Sequence, residues 1–113
     1  MDIRKDKIIE KIKNLVDNLQ HKVKIKEVYI FGSFLTGEDY QDIDVALISD
    51  NFSGTRFIDM KLIIDSLKNY SSNFDLHPFN TGDFYDDRNI FAVEIREHGK
   101  NILELEKTTI DLC

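Results

Sequence analysis

Apolar residues near the start of the chain fall on a single stripe. Ile8, Ile9, Ile12, Leu15, Val16 and Leu19 recur at spacings of three and four, the repeat that lines one face of an α-helix. Lysines and acids take the opposite face, and the spacing predicts a helix over about Ile3 to Gln20. The pattern then changes. Ile25 to Phe31 is rich in β-branched and aromatic residues and predicts a strand. Gly32-Ser33 ends it. Phe34 to Gln41, with Gly37 and several polar residues, predicts a short helical turn and a loop.

Asp42 to Ile48 alternates, with Ile43, Val45 and Leu47 on one side and Asp42, Asp44, Ala46 and Ile48 on the other. Ser49 to Gly54 reads as a loop. Thr55 or Ser53 is placed to cap a helix running to about Tyr70, with Phe57, Ile58, Leu62, Ile63 and Leu67 turned inward. Asn73 to Phe79 predicts a third strand, stopped near Pro78. A polar segment, Asn80 to Arg88, leads to a short helix over Phe91 to His98, closed by Gly99. Ile102 to Leu105 predicts a last short strand. Strands interspersed with helices predict an α/β (α+β) domain, a small sheet with flanking helices.

The 113 residues fit one domain, and 42% apolar residues are enough for a core. Five glycines, one proline and 32% charged residues exclude fibrous and disordered classes. The net charge of −6 disfavours tight binding to free nucleic acid. It leaves open a small phosphorylated ligand held through cations, which invert the local charge. The only cysteine, Cys113, rules out an intrachain disulfide. The N-terminus is charged rather than apolar, so the expectation is a cytoplasmic protein with no membrane span.

The candidate chemistry lies in acids set into apolar strands. Asp42 and Asp44 are two residues apart on one strand face, where like charges repel unless a cation lies between them. Hard cations such as Mg²⁺ suit such a pair, and a pair can serve two ions in phosphoryl chemistry. Asp75 stands inside another apolar strand, sharing a face with His77. If the two strands pair, three carboxylates converge. Gly32-Ser33, at a strand-to-turn junction, is suited to phosphate: glycine admits close backbone approach, and N–H groups with the Ser33 hydroxyl can bind oxygens. His77 reads equally as a proton carrier beside Asp75 or as a hydrogen-bonded strand residue. Arg56 and Lys61 read first as a solvated helix face and second as cations that reach a phosphate, and Asp83, Asp86 and Asp87 read first as a solvated loop and second as a metal site. Phe34 and Phe84 are the candidates for stacking on a base or a partner.

The run Ile30-Phe31-Gly32-Ser33-Phe34-Leu35-Thr36-Gly37, followed by Asp42-Ile43-Asp44-Val45 and then by Asp75, resembles the signature of the polymerase-β-like nucleotidyltransferase superfamily. The short chain is similar to the minimal nucleotidyltransferases, often antitoxins paired with HEPN-type toxins. The resemblance implies that Asp42, Asp44 and Asp75 are catalytic and hold two Mg²⁺ ions, and that Gly32 and Ser33 bind the β- and γ-phosphates of a nucleoside triphosphate. It further implies transfer of a nucleoside monophosphate, most simply AMP from ATP, to a hydroxyl, for example on a partner toxin. Phe34, Leu35 and Thr36 stand where the family often has small or basic residues. That departure favours a second reading: a module that neutralises a HEPN-type partner by contact alone.

Overall fold

The structure, a computed structural model, describes residues 3–32, 43–67 and 74–103. Its elements are α1 (Ile3–Leu19), β1 (Glu27–Phe31), β2 (Ile43–Ile48), α2 (Arg56–Ser66), β3 (Phe74–Phe79), α3 (Thr81–Phe84), α4 (Ile90–His98) and β4 (Lys100–Asn101). The strands form one mixed sheet in the order β3-β2-β1-β4. β1 runs antiparallel to both β2 and β4, while β2 and β3 are parallel and joined through α2. The expected α/β (α+β) class, a small mixed sheet with flanking helices, is what the chain adopts.

The alternation in β2 sorts its side chains between two cores. Ile43, Val45 and Leu47 join Val28, Ile30, Phe74 and Leu76 against the α1 stripe of Ile12, Val16 and Leu19. Ala46 and Ile48 face the other way and pack on Phe84, Ala92 and Ile95, from α3 and α4. The helices therefore cover both faces, and burial on both sides explains why β2 is apolar nearly throughout. Burying such side chains is worth roughly 1.5–3 kcal/mol each, before the entropy of ordering them is subtracted.

β3 covers Phe74–Phe79, within one residue of the expected strand, with Pro78 in register with Leu47. A proline that cannot donate to a ladder is tolerated because β3 is an edge strand. Several other expectations need correction. In α2, Phe57 and Ile58 point to solvent, Phe57 being 80% exposed. Ile63 is buried and Leu62 and Leu67 pack against the core, as expected, and Asp59 is buried as well. Asp59 goes inside because it accepts hydrogen bonds from the Ser53 and Gly54 backbone N–H groups and from the Ser53 hydroxyl, at 2.7–3.0 Å. Thr55 holds the cap position of α2, but its side chain makes no capping bond. The polar segment after β3 contains α3, whose start is fixed by the Asn80 side chain accepting from Asp83 N–H. Phe84 is fully buried at its end, so it is a core residue and not a stacking surface. Among the described residues the last strand is Lys100–Asn101; of the expected strand Ile102 to Leu105, Ile102 and Leu103 are helical and the rest lies outside the described residues. Gly99 does follow α4, but with ordinary φ. It is needed for space, since a Cβ there would lie 2.6 Å from the Ile95 carbonyl oxygen and 3.1 Å from that of Ile30.

Candidate active site

β1 ends where β2 and β3 begin, so the topology brings three strand termini to one end of the sheet. Asp44 is in register with Phe31 on one side and with Asp75 on the other. In a parallel pair, residues in register project to the same face. That face, the one covered further along by α3 and α4, is left open here. Asp44 is 30% exposed and Asp75 48%. The two strands pair, and Asp44 and Asp75 thus meet on one side of the sheet.

His77, two residues beyond Asp75, returns to this face. Its Nε2 lies 3.3 Å from Asp44 Oδ1 and 3.3 Å from Asp75 Oδ2. The ring is flanked by Phe31, with centroids 5.2 Å apart, and by Phe91 of α4, at 5.5 Å. Donor atoms of Asp44, Asp75 and His77 all lie within 4.8 Å of one another. Two carboxylates and an imidazole gathered so closely fit a divalent cation, because a cation offsets the repulsion between the acids and uses their oxygens as ligands.

Gly32 closes the end of β1 with φ +82°, a left-handed conformation open chiefly to glycine. Arg56, the first residue of α2, brings a guanidinium nitrogen to 3.8 Å from Asp75 Oδ1. Both groups are half exposed, so the pair adds little stability, but it sets a positive charge at the rim of the acidic cluster. Of the two helix cations that could reach the site from sequence, Arg56 is the one that lies beside it. Lys61, by contrast, pairs with Asp65 on the outer face of α2. Asp86 pairs with Arg88 and Asp87 with Arg96, away from the cluster. Phe91 emerges as an aromatic wall that its place in a helix pattern does not reveal. Asp42, Ser33 and Phe34 lie outside the described residues.

Residues 10–108 match the family described as "Polymerase beta, Nucleotidyltransferase". The chain belongs to this nucleotidyltransferase family. The fold agrees: the chain is similar to a crystal structure from Sulfolobus solfataricus, provisionally described as a nucleotidyltransferase, with a TM-score of 0.53 and 22% identity over 68% of this chain and 70% of that one. No curated protein matches. For a nucleotidyltransferase domain, a nucleoside triphosphate is the substrate that membership implies, and transfer of a nucleotidyl group the reaction class. No helix among the described residues is long and apolar enough to cross a membrane.

Proposed function

We propose that this nucleotidyltransferase moves AMP from ATP to a hydroxyl group on a protein partner, such as a HEPN-type toxin, using Asp42, Asp44 and Asp75. The observation that carries this reading is the lateral pairing of Asp44 with Asp75 across β2 and β3, on the open face beside Gly32.

In this reading Gly32 and Ser33 bind the β- and γ-phosphates, and Asp42, Asp44 and Asp75 would hold two Mg²⁺ ions. When bound, such ions stabilise the charge on the reacting phosphoryl group and on the leaving oxygen. Asp75 takes the proton of the attacking hydroxyl as its oxygen bonds to the α-phosphorus. The bond from the α-phosphorus to the bridging oxygen breaks, and pyrophosphate departs. Arg56, beside Asp75, supplies a cation for the phosphates that the Phe34-Leu35-Thr36 tract does not. The partner assignment rests on the resemblance to minimal nucleotidyltransferases and on the acidic balance, which disfavours free nucleic acid.

The test is transfer of label from α-labelled ATP to a co-purified partner protein. Wild-type protein is expected to label the partner, and Asp44→Ala, folded by circular dichroism, is expected not to. Undiminished labelling by Asp44→Ala would refute the site. The contact-only reading keeps support from the missing cation after Ser33. Under it, a double Asp42→Ala, Asp44→Ala variant neutralises the partner as well as the wild type does.

A further inference from the structure

The imidazole of His77 is held more firmly than the acids it touches. It is 16% exposed, against 48% for Asp75 and 30% for Asp44. Phe31 and Phe91 pack against its ring at 5.2 and 5.5 Å, fixing the direction of Nε2. That nitrogen stands 3.3 Å from one oxygen of each acid. Adjacent ligands of an octahedral ion, with bonds of about 2.1 Å at right angles, lie about 3 Å apart. The two nitrogen–oxygen spacings are therefore close to those between neighbouring corners of one coordination shell, and all three residues offer donor atoms within 4.8 Å of one another.

We propose that His77 Nε2 is a metal ligand beside Asp44 and Asp75, and that it biases the centre towards first-row transition ions, with Mn²⁺ as the paramagnetic probe of that set, over Mg²⁺. The proposal rests on the reading of Asp44 and Asp75 as metal ligands. Mg²⁺ favours an all-oxygen shell and gives up water reluctantly. Imidazole nitrogen binds first-row transition ions in preference to Mg²⁺. A centre of carboxylates alone discriminates less between the two ions. The position of His77 on β3 explains how the residue reaches the centre: it shares the face of Asp75, two residues further along the strand, and is in register with the small side chain of Ala46.

Two measurements on the intact chain test it. The first is pulsed electron paramagnetic resonance of the wild-type protein loaded with Mn²⁺ alone, with histidine labelled in ¹⁵N. Directly bonded histidine nitrogen is expected, as a strong coupling that changes with the label. The second is calorimetric titration with Mn²⁺ and with Mg²⁺, for wild type and His77→Gln. The variant is expected to lose about tenfold in Mn²⁺ affinity, the low end of what altered metal surroundings cost, while Mg²⁺ affinity shifts far less. A His77 that only braces the carboxylates would weaken both ions alike and show no direct nitrogen coupling. Mn²⁺ binding without that coupling overturns the role of His77 and leaves the acids standing. Mn²⁺ binding that survives Asp44→Ala and Asp75→Ala together, or no binding by wild type, overturns the underlying metal site as well.

Discussion

Gly32 lies directly behind the carboxylate of Asp44: a Cβ on Gly32 would come within 2.6 Å of Asp44 Oδ2. The glycine is therefore required twice, for its φ of +82° and for the room it leaves. Gly32→Ala should cost about 1–2 kcal/mol of stability through backbone strain. Because the neighbouring atom ends a flexible side chain, the variant should fold, with the Asp44 carboxylate pushed aside. The expected result is a modest shift in the denaturant midpoint and a loss of nucleotidyl transfer of tenfold or more, on the order of the cost of a 1 Å misplacement.

Asp75→Asn isolates a different contribution. The amide keeps an oxygen able to act as a ligand but cannot take a proton from an attacking hydroxyl. Nucleotide affinity should stay within a few-fold of wild type by calorimetry while transfer falls by 10²-fold or more, the usual scale of general-base loss. Turnover near the wild-type level would remove Asp75 from the role given to it.

Asp59 carries a structural prediction. Its carboxylate is 1% exposed and accepts from three donors of the Ser53-Gly54 loop. Asp59→Ala strands all three donors, and a loss of about 3 kcal/mol is expected in urea denaturation. Asp59→Asn, which keeps an acceptor, should lose less. Since this loop leads into Arg56, the alanine variant should also weaken nucleotide affinity at temperatures where it remains folded.

These residues show what could be read in advance and what could not. The α1 stripe and the β2 alternation were legible because hydrophobic periodicity decides burial wherever a face is simply apolar. The meeting of Asp44 and Asp75 was legible only on condition that their strands paired, which the chain order of elements does not settle. On α2 the expectation holds for Leu62, Ile63 and Leu67 and fails in the first turn for a definite reason: hydropathy favours Phe57 and Ile58, but hydrogen bonds from the preceding loop draw Asp59 inside. α3 escaped notice because a polar cap, Asn80, starts it, and only one turn follows. β4 consists of Lys100 and Asn101, paired through backbone to β1, and such a strand leaves no pattern in side-chain type.

The exposed residues of α2 yield a test of the acceptor. Phe57 stands next to Arg56, which reaches Asp75 at the rim of the site, and with Ile58 it leaves apolar surface in water. Phe57→Ser should therefore leave stability within about 0.5 kcal/mol of wild type, as for other surface changes. It should also leave nucleotide affinity unchanged. If a protein acceptor rests on this surface, the KM for that acceptor should rise several-fold while the KM for ATP does not. Equal kinetics towards the acceptor would place its contacts elsewhere.

The far end of the same sheet face gives a pH dependence independent of catalysis. Glu27 accepts from the Tyr85 hydroxyl, from the Tyr29 hydroxyl at 3.4 Å and from Asn101 Nδ2 at 3.2 Å. Burial, and then the hydrogen bond to the Glu27 carboxylate, push the Tyr85 phenol well above its ordinary value of 10.0. Burial and the Glu27 charge raise Tyr29 as well. A raised phenol favours the protonated form in the folded state, so the unfolded chain gives up its protons first as pH rises. The stability is therefore fully present below pH 10 and is lost as pH climbs from there towards the folded-state values. Denaturation midpoints should be flat with respect to these groups at neutral pH and should fall above pH 10. Glu27→Gln removes the charge, so its midpoint should fall less steeply over the same alkaline range. Parallel curves for the two proteins would show that Glu27 does not hold the tyrosines protonated.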